Sequence, residues 1–173
     1  MRQSKTDPDL YERDLAIWAQ GQASAIREGR WMGVDVANLV EEIEDIGKSQ
    51  HNELESRLSV LLMHLMKVEL QPERDENPSW WSTVIEQQRR IRRLLAKSPS
   101  LRPQIAGVVG EEYPSVRKRV ALEANVALES IPVRLPPRVE RNLAIALEGG
   151  DFEGLADVLN MNIVRTRTHG TAH

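Results

Sequence analysis

The sequence predicts an all-α protein, a helical bundle of four main helices with short C-terminal helices packed across it. Apolar residues recur at three- and four-residue spacing through most of the 173 residues, and no stretch alternates apolar and polar side chains as a half-buried strand does. Two capping residues followed by proline, Asp7 with Pro8 and Asn77 with Pro78, mark helix starts. We expect one helical domain over residues 1–164 and a flexible tail at 165–173, where no core pattern remains.

The first helix is predicted to follow Asp7 and to end at Gly29. One face of it has three- and four-residue spacing and comprises Tyr11, Leu15, Trp18, Gln22 and Ala25. Asp35 is then expected to cap a second, much longer helical run over residues 36–68.

This second run poses a problem of length. Unbroken it would be ~50 Å long, whereas its neighbours have about twenty residues each, or ~30 Å. The unmatched part carries an apolar stripe that needs cover, namely Val36, Leu39, Val40, Ile43 and Ile46. We predict a break at Gly47 that folds the first piece over the core. The alternative is a straight helix whose overhang is covered by the same surface of a second subunit in a two-fold dimer.

The rest of the chain completes the bundle. Between Leu58 and Val68 the second run is apolar almost all round, which is typical of a bundle centre. A third helix is predicted from Asn77. A fourth starts near Leu101 and runs through Leu128, with a kink or restart at Pro114 because proline lacks the backbone N–H. Two short helices, 139–147 and 155–159, are expected to close the fold.

Composition limits the function classes. The net charge is −3, so there is no bulk attraction to nucleic acid or to anionic lipid. The chain has no cysteine, which excludes disulfides and thiolate chemistry and fits a reducing cytoplasm. The first fourteen residues contain no apolar core, so we expect no signal peptide, and no run approaches the roughly 20 apolar residues of a membrane span. We therefore expect a cytoplasmic protein.

His64 stands in the middle of the most apolar segment, "SVLLMHLMK". On a helix its neighbours one turn away are Val60, Leu61 and Val68, and the only polar one is Lys67. A buried neutral imidazole needs a hydrogen-bond partner. We predict that His64 is a buried core residue paired with a polar group of another helix, and the alternative is a catalytic or ligating role.

His51 forms a stripe with Glu44 and Glu55, because side chains four and seven residues apart share a helix face. Such a stripe has the residue types of a metal site or an acid–base pair. Glu44 and His51 would lie ~10 Å apart along the axis, however, too far to share one ion on an unbroken helix. We expect a solvated charged face and no bound metal. A metal-dependent enzyme using His51 or His64 with carboxylates is one alternative function.

Arg89, Arg93 and Lys97 form an i, i+4 row on the third helix. A basic helix face of this kind contacts phosphates in nucleic-acid-binding proteins. Because the chain is acidic overall, we predict that the acids of the second helix lie near this row, within one chain or between two. Nucleic acid is not the expected partner, and a nucleic-acid-associated regulator is a further alternative function.

Four consecutive blocks resemble a known bacterial family, that named domain of unknown function 29. They are "YERDLAIWAQGQASAIREGR", "DVANLVEEIEDIGKSQHNELESRLSVLLMHLMK", "QPERDENPSWWSTVIEQQRRIRRLL" and "SPSLRPQI". The resemblance covers roughly residues 10–128 and weakens after Pro132. It implies an all-helical bacterial protein and supplies no activity.

No nucleophile elbow, glycine-rich phosphate loop or paired metal motif occurs in the sequence. We therefore predict a non-enzymatic protein-interaction or scaffolding module without a cofactor. Its expected partner is another protein or a second copy of the chain in a homodimer.

Overall fold

The computed structural model describes residues 10–73, 77–150 and 152, and within these residues all regular structure is helical. The predicted all-α fold is thus confirmed. The helices are α1 (Leu10–Arg13), α2 (Leu15–Arg27), α3 (Val36–Leu70), α4 (Asn77–Lys97), α5 (Ile105–Ala124) and α6 (Pro137–Glu148), with short 3₁₀ turns at Trp31–Gly33, Pro99–Gln104 and Leu128–Ser130. The predicted cap at Asp7, the helix at 155–159 and the tail at 165–173 lie outside the described residues.

The chain divides into two compact units, residues 1–49 and residues 50–173. Helix α3 contributes residues 36–49 to the first unit and residues 50–70 to the second. The first unit thus consists of α1, α2 and the beginning of α3, and we call the α2–α3 part of it the N-terminal hairpin.

The predicted first helix is interrupted at Asp14. The Asp14 carboxylate accepts the backbone N–H of Ile17 at 3.0 Å, which caps α2 and ends α1. Gly29 follows α2 with a φ of 70°, a conformation that costs glycine least, so the predicted stop is confirmed. Asp35 accepts the N–H of Asn38 and caps α3, also as predicted.

The predicted break at Gly47 is wrong, because α3 continues through it from Val36 to Leu70. A glycine inside a helix costs about 1 kcal/mol. A break would instead give up several backbone hydrogen bonds, each contributing about 0.5–1.5 kcal/mol. Apart from its own helix, no described atom lies within 4 Å of the space that a Gly47 side chain would occupy, so no described neighbour drives a bend here.

The second unit holds the main hydrophobic core. Residues 54–68 of α3 supply its largest share, and Leu58, Leu61 and Leu62 are completely buried. Helices α4, α5 and α6 pack against them with Trp81, Val84, Ile91, Leu95, Val116, Val120, Val139 and Ala146. The prediction that the segment between Leu58 and Val68 forms the bundle centre is confirmed.

Helix α5 differs from its prediction at its C-terminal end. It ends at Ala124 rather than near Leu128, and it is one continuous helix through Pro114, so the helix does not restart there. Asn125 ends it in the left-handed region, at φ 53°, which asparagine tolerates better than most residues. The following segment is held to α5 by Tyr113, whose hydroxyl donates to the Pro132 carbonyl at 2.9 Å.

Among the described residues, none of the helices combines the length and the hydropathy that a membrane crossing requires.

Candidate functional site

The N-terminal hairpin is held together by a small buried cluster. Trp18 and Ala25 of α2 are each 2% exposed, and Gln22 lies buried between them. The Gln22 side-chain carbonyl accepts the backbone N–H of Asp35 at 2.7 Å. This bond satisfies an N–H at the start of α3 and fixes α2 against it.

Tyr11 adds a second link between the two helices. Its ring meets Trp18 edge to face, with centroids 4.9 Å apart, and its hydroxyl donates to Glu42 of α3 at 2.8 Å. The hydrogen bond to the Glu42 carboxylate, together with the negative charge there, raises the pKa of Tyr11 to about 12. The phenol is therefore a neutral donor at physiological pH.

Beside this cluster the hairpin carries an open apolar groove of about 550 Å³. We call it the hairpin groove. One wall is α2 and the other is the first part of α3, and the lining residues are Leu15, Ala16, Trp18, Ala19, Gln22, Ala23, Ile26, Leu39, Glu42, Ile43 and Ile46. Three alanines on one wall let another helix come close, because interaxial distance depends on side-chain size at the contact.

Several large apolar side chains at the groove are exposed to solvent. Ile43 is 60% and Ile46 59% exposed, and their neighbour Val36 is 62% exposed. Fully burying one such side chain is worth about 1.5–3 kcal/mol. Single exposed apolar residues are ordinary, but a contiguous apolar surface marks an interaction site. The groove therefore has the character of a docking surface for an apolar helix face.

His64 is half-buried rather than buried as predicted, and its hydrogen-bond partner also differs from the prediction. Nδ1 donates to the carbonyl of Val60 at 2.9 Å, one turn earlier in the same helix and not in another. Burial lowers the pKa of His64, the Val60 hydrogen bond opposes this shift, and nearby Lys67 reinforces it. The missed signal was the i−4 carbonyl, which a helical side chain reaches without help from a neighbouring helix.

The lowered pKa of His64 leads to a pH prediction. The folded state prefers the neutral ring, so His64 contributes stability above the unfolded pKa of about 6.5. That contribution is lost as the pH falls from there through the lower folded pKa. We expect the urea unfolding free energy to fall less steeply between pH 7.5 and pH 5 in His64→Gln, which keeps a donor for the Val60 carbonyl. An identical pH profile in both proteins would show that His64 does not carry this effect.

The stripe of His51 with Glu44 and Glu55 is divided between the two units. Glu44 is exposed and belongs to the first unit, whereas His51 and Glu55 belong to the second. His51 Nδ1 lies 2.8 Å from the side-chain carbonyl of Gln104, with which it shares a hydrogen bond. Within the described residues, no group of three or more histidine, aspartate and glutamate side chains is arranged to hold a metal ion.

The basic row of α4 lies in a cleft that it shares with α3. Arg89, Arg93 and Lys97 line this cleft together with Glu53 of α3. Glu53 is thus an acid of the predicted second helix that lies beside the row, and it forms an ion pair with Arg57 at 2.7 Å. Glu41, Glu42, Glu44 and Asp45 belong to the other unit.

Sequence reasoning found one wall of the hairpin groove and missed the other. It identified the α3 stripe as needing cover. For the first predicted helix, which contains α2, it identified a single face that includes Leu15 and Trp18. The overlooked signal is that the alanines at 16, 19 and 23 lie next to residues of that face. These alanines widen the apolar face of α2.

Comparison with known proteins identifies a family but no related protein of described function. The family model described as Domain of unknown function DUF29 matches residues 10–146. No curated protein and no solved structure matches the chain. The match spans both the hairpin groove and the basic row.

Proposed function

The chain belongs to the DUF29 family, and we propose that it is a cytoplasmic, non-enzymatic protein-interaction module whose hairpin groove receives a basic amphipathic helix of a partner protein. The observation that carries the proposal is the exposed apolar lining of the groove. Helix-in-groove recognition uses the same physics, since one amphipathic helix buries its apolar face between two others. The absence of cysteine supports a reducing compartment.

The charge around the groove argues for a basic partner. Residues 1–49 contain ten acidic and six basic side chains, a net charge of −4. Glu42 lines the groove itself, and Glu41, Glu44 and Asp45 stand on the same part of α3. Complementary charge speeds association and suppresses wrong partners. A second copy of the hairpin would bring the same negative charge, which makes it the less favourable occupant.

The length of the groove sets the length of the partner. Helix α2 has 13 residues, which corresponds to ~20 Å. A partner helix of about 14 residues spans that distance and presents three or four apolar anchors at i, i+3 or i+4 and i+7. Lysine or arginine on its flanks would then face the acids of α3.

A designed peptide tests this proposal. The probe is a fluorescent helical peptide of about 14 residues, with leucines at the anchor spacing and lysines elsewhere, compared with a version carrying glutamates instead. We expect the lysine peptide to bind and the glutamate peptide to bind far more weakly. Ile43→Asp should weaken binding by about tenfold or more, because it buries an unpaired carboxylate. Fluorescence anisotropy measures both effects.

Ile85→Asp is the matched control, since Ile85 is a 45% exposed isoleucine on α4 that does not line the groove. It should bind the lysine peptide as the wild type does. Equal binding of both peptides, or equal loss in both variants, would contradict the proposal. Sedimentation adds a second outcome: a wild-type dimer that becomes a folded monomer in Ile43→Asp would assign the groove to a second copy instead.

A further inference from the structure

A second surface, in the other unit, has the opposite chemistry. Helices α3 and α4 enclose a cleft of about 370 Å³, which we call the cationic cleft. Its lining residues are Gln50, Glu53, Arg57, Arg89, Arg90, Arg93, Leu94 and Lys97. Leu94 is buried, so the cationic groups stand beside a low-dielectric wall that strengthens their field.

The cations of this cleft outnumber the carboxylates that balance them. Glu53 pairs with Arg57, and Glu86 of α4 receives hydrogen bonds from both Arg89 and Arg90. The two arginines hold the pKa of Glu86 at about 2, so it is ionised at any physiological pH. The cleft thus has five cationic side chains, and two carboxylates, Glu53 and Glu86, form ion pairs with them. In the part of the chain that the structure describes, Arg93 and Lys97 have no ion-pair partner.

The remaining polar group of the cleft is also arranged as a donor. The side-chain carbonyl of Gln50 accepts the hydroxyl of Ser98. The amide N–H groups of Gln50 are then the atoms left for a ligand. Guanidinium groups, an ammonium group and an amide thus line one cleft, and such a set of donors favours anions.

We propose that the cationic cleft binds a small oligophosphate, a ligand with two or three linked phosphate groups such as inorganic pyrophosphate or the phosphate chain of a nucleotide. Each phosphate group carries a charge of about −1.5 to −2. Two linked phosphates thus match the three unbalanced cations, whereas one carboxylate would neutralise only one of them. Arginine forks suit phosphate oxygens in particular.

A nucleic-acid backbone fits this cleft less well. The concave volume is that of a small-molecule site. Long nucleic acids need a cationic track or aromatic stacking platforms, and aromatic residues make up only 4% of this chain. The overall charge of −3 also repels a polyanion that extends beyond the cleft.

Calorimetric titration with sodium pyrophosphate at low salt and at about 150 mM salt tests the cleft. We expect saturable binding that weakens with salt. The double variant Arg93→Gln/Lys97→Gln should bind about tenfold more weakly or worse, because two charge-assisted hydrogen bonds are lost. The control Arg102→Gln/Lys118→Gln removes two exposed cations outside the cleft and should bind as the wild type does.

Thermal unfolding provides a readout that does not depend on calorimetry. Pyrophosphate should raise the melting temperature of the wild type and of the control, but not of Arg93→Gln/Lys97→Gln. Absence of heat and of thermal shift up to millimolar pyrophosphate would overturn the proposal, as would equal binding by the two double variants. A single-stranded oligonucleotide that binds while pyrophosphate and inorganic triphosphate do not would overturn it in favour of nucleic acid.

Discussion

Replacing Trp18 by alanine is expected to lower the free energy of opening the N-terminal hairpin by about 3–5 kcal/mol. Trp18 is 2% exposed and packs edge to face on Tyr11, so it supplies much of the buried surface of this small unit. Hydrogen exchange of the α2 backbone amides measures the effect directly. The lysine peptide should lose its binding site in the same variant, because the groove exists only while α2 lies against α3.

Trp18→Phe is the matched control for this prediction. Among the residues that the structure describes, the buried Trp18 indole N–H has no hydrogen-bond partner, so phenylalanine gives up no hydrogen bond seen there and keeps an aromatic ring against Tyr11. We expect it to retain most of the exchange protection and the peptide binding. Unchanged protection of α2 in Trp18→Ala would contradict the structural role given to this residue.

The elements that the sequence predicted well are those whose pattern is complete within one helix. The segment between Leu58 and Val68 is apolar on almost every side, which in this bundle favours a position at its centre. Capping at Asp35 and the stop at Gly29 also follow from residues within one turn. Local chemistry decides these features, so the sequence contains enough information for them.

The break at Gly47 was predicted from a mismatch between helix lengths, and this was the step that failed. The mismatch shows that the apolar stripe at Val36, Ile43 and Ile46 needs a partner, but it does not show where the partner comes from. Helix α2 covers the stripe only in part, and the rest stays exposed. A helix does not give up backbone hydrogen bonds merely to bury a stripe that another molecule can cover.

The sequence grouped candidate residues along single helices, and the structure adds their neighbours from other helices. The net charge of the whole chain gives no sign of the cationic cleft. The total of −3 is the sum of −4 in residues 1–49 and +1 in residues 50–173, where the cleft lies. The basic row of Arg89, Arg93 and Lys97 was visible in the spacing. Its neighbours Gln50 and Arg57 were not, because they come from another helix, about forty residues earlier in the chain.

Leu62→Ala is expected to destabilise the second unit strongly by leaving a cavity in its core. Leu62 is completely buried at the bundle centre, and removing its three outer carbons leaves a cavity that surrounding helices fill only in part. We expect the unfolding free energy to fall by about 2–5 kcal/mol. For a chain of this size that lowers the melting temperature by roughly 5–20 °C.

The substitution separates packing from helix formation. Alanine has the highest helix propensity, so Leu62→Ala leaves the intrinsic stability of α3 as high or higher, and any loss reports the missing contacts. Ile85→Ala on the exposed face of α4 is the comparison and should cost about 1 kcal/mol or less, since the Ile85 side chain is already 45% exposed. Similar melting temperatures for the two variants would mean that Leu62 does not lie at the packed centre. A large loss at Leu62 with peptide binding retained would show that the hairpin groove persists when the bundle core is weakened.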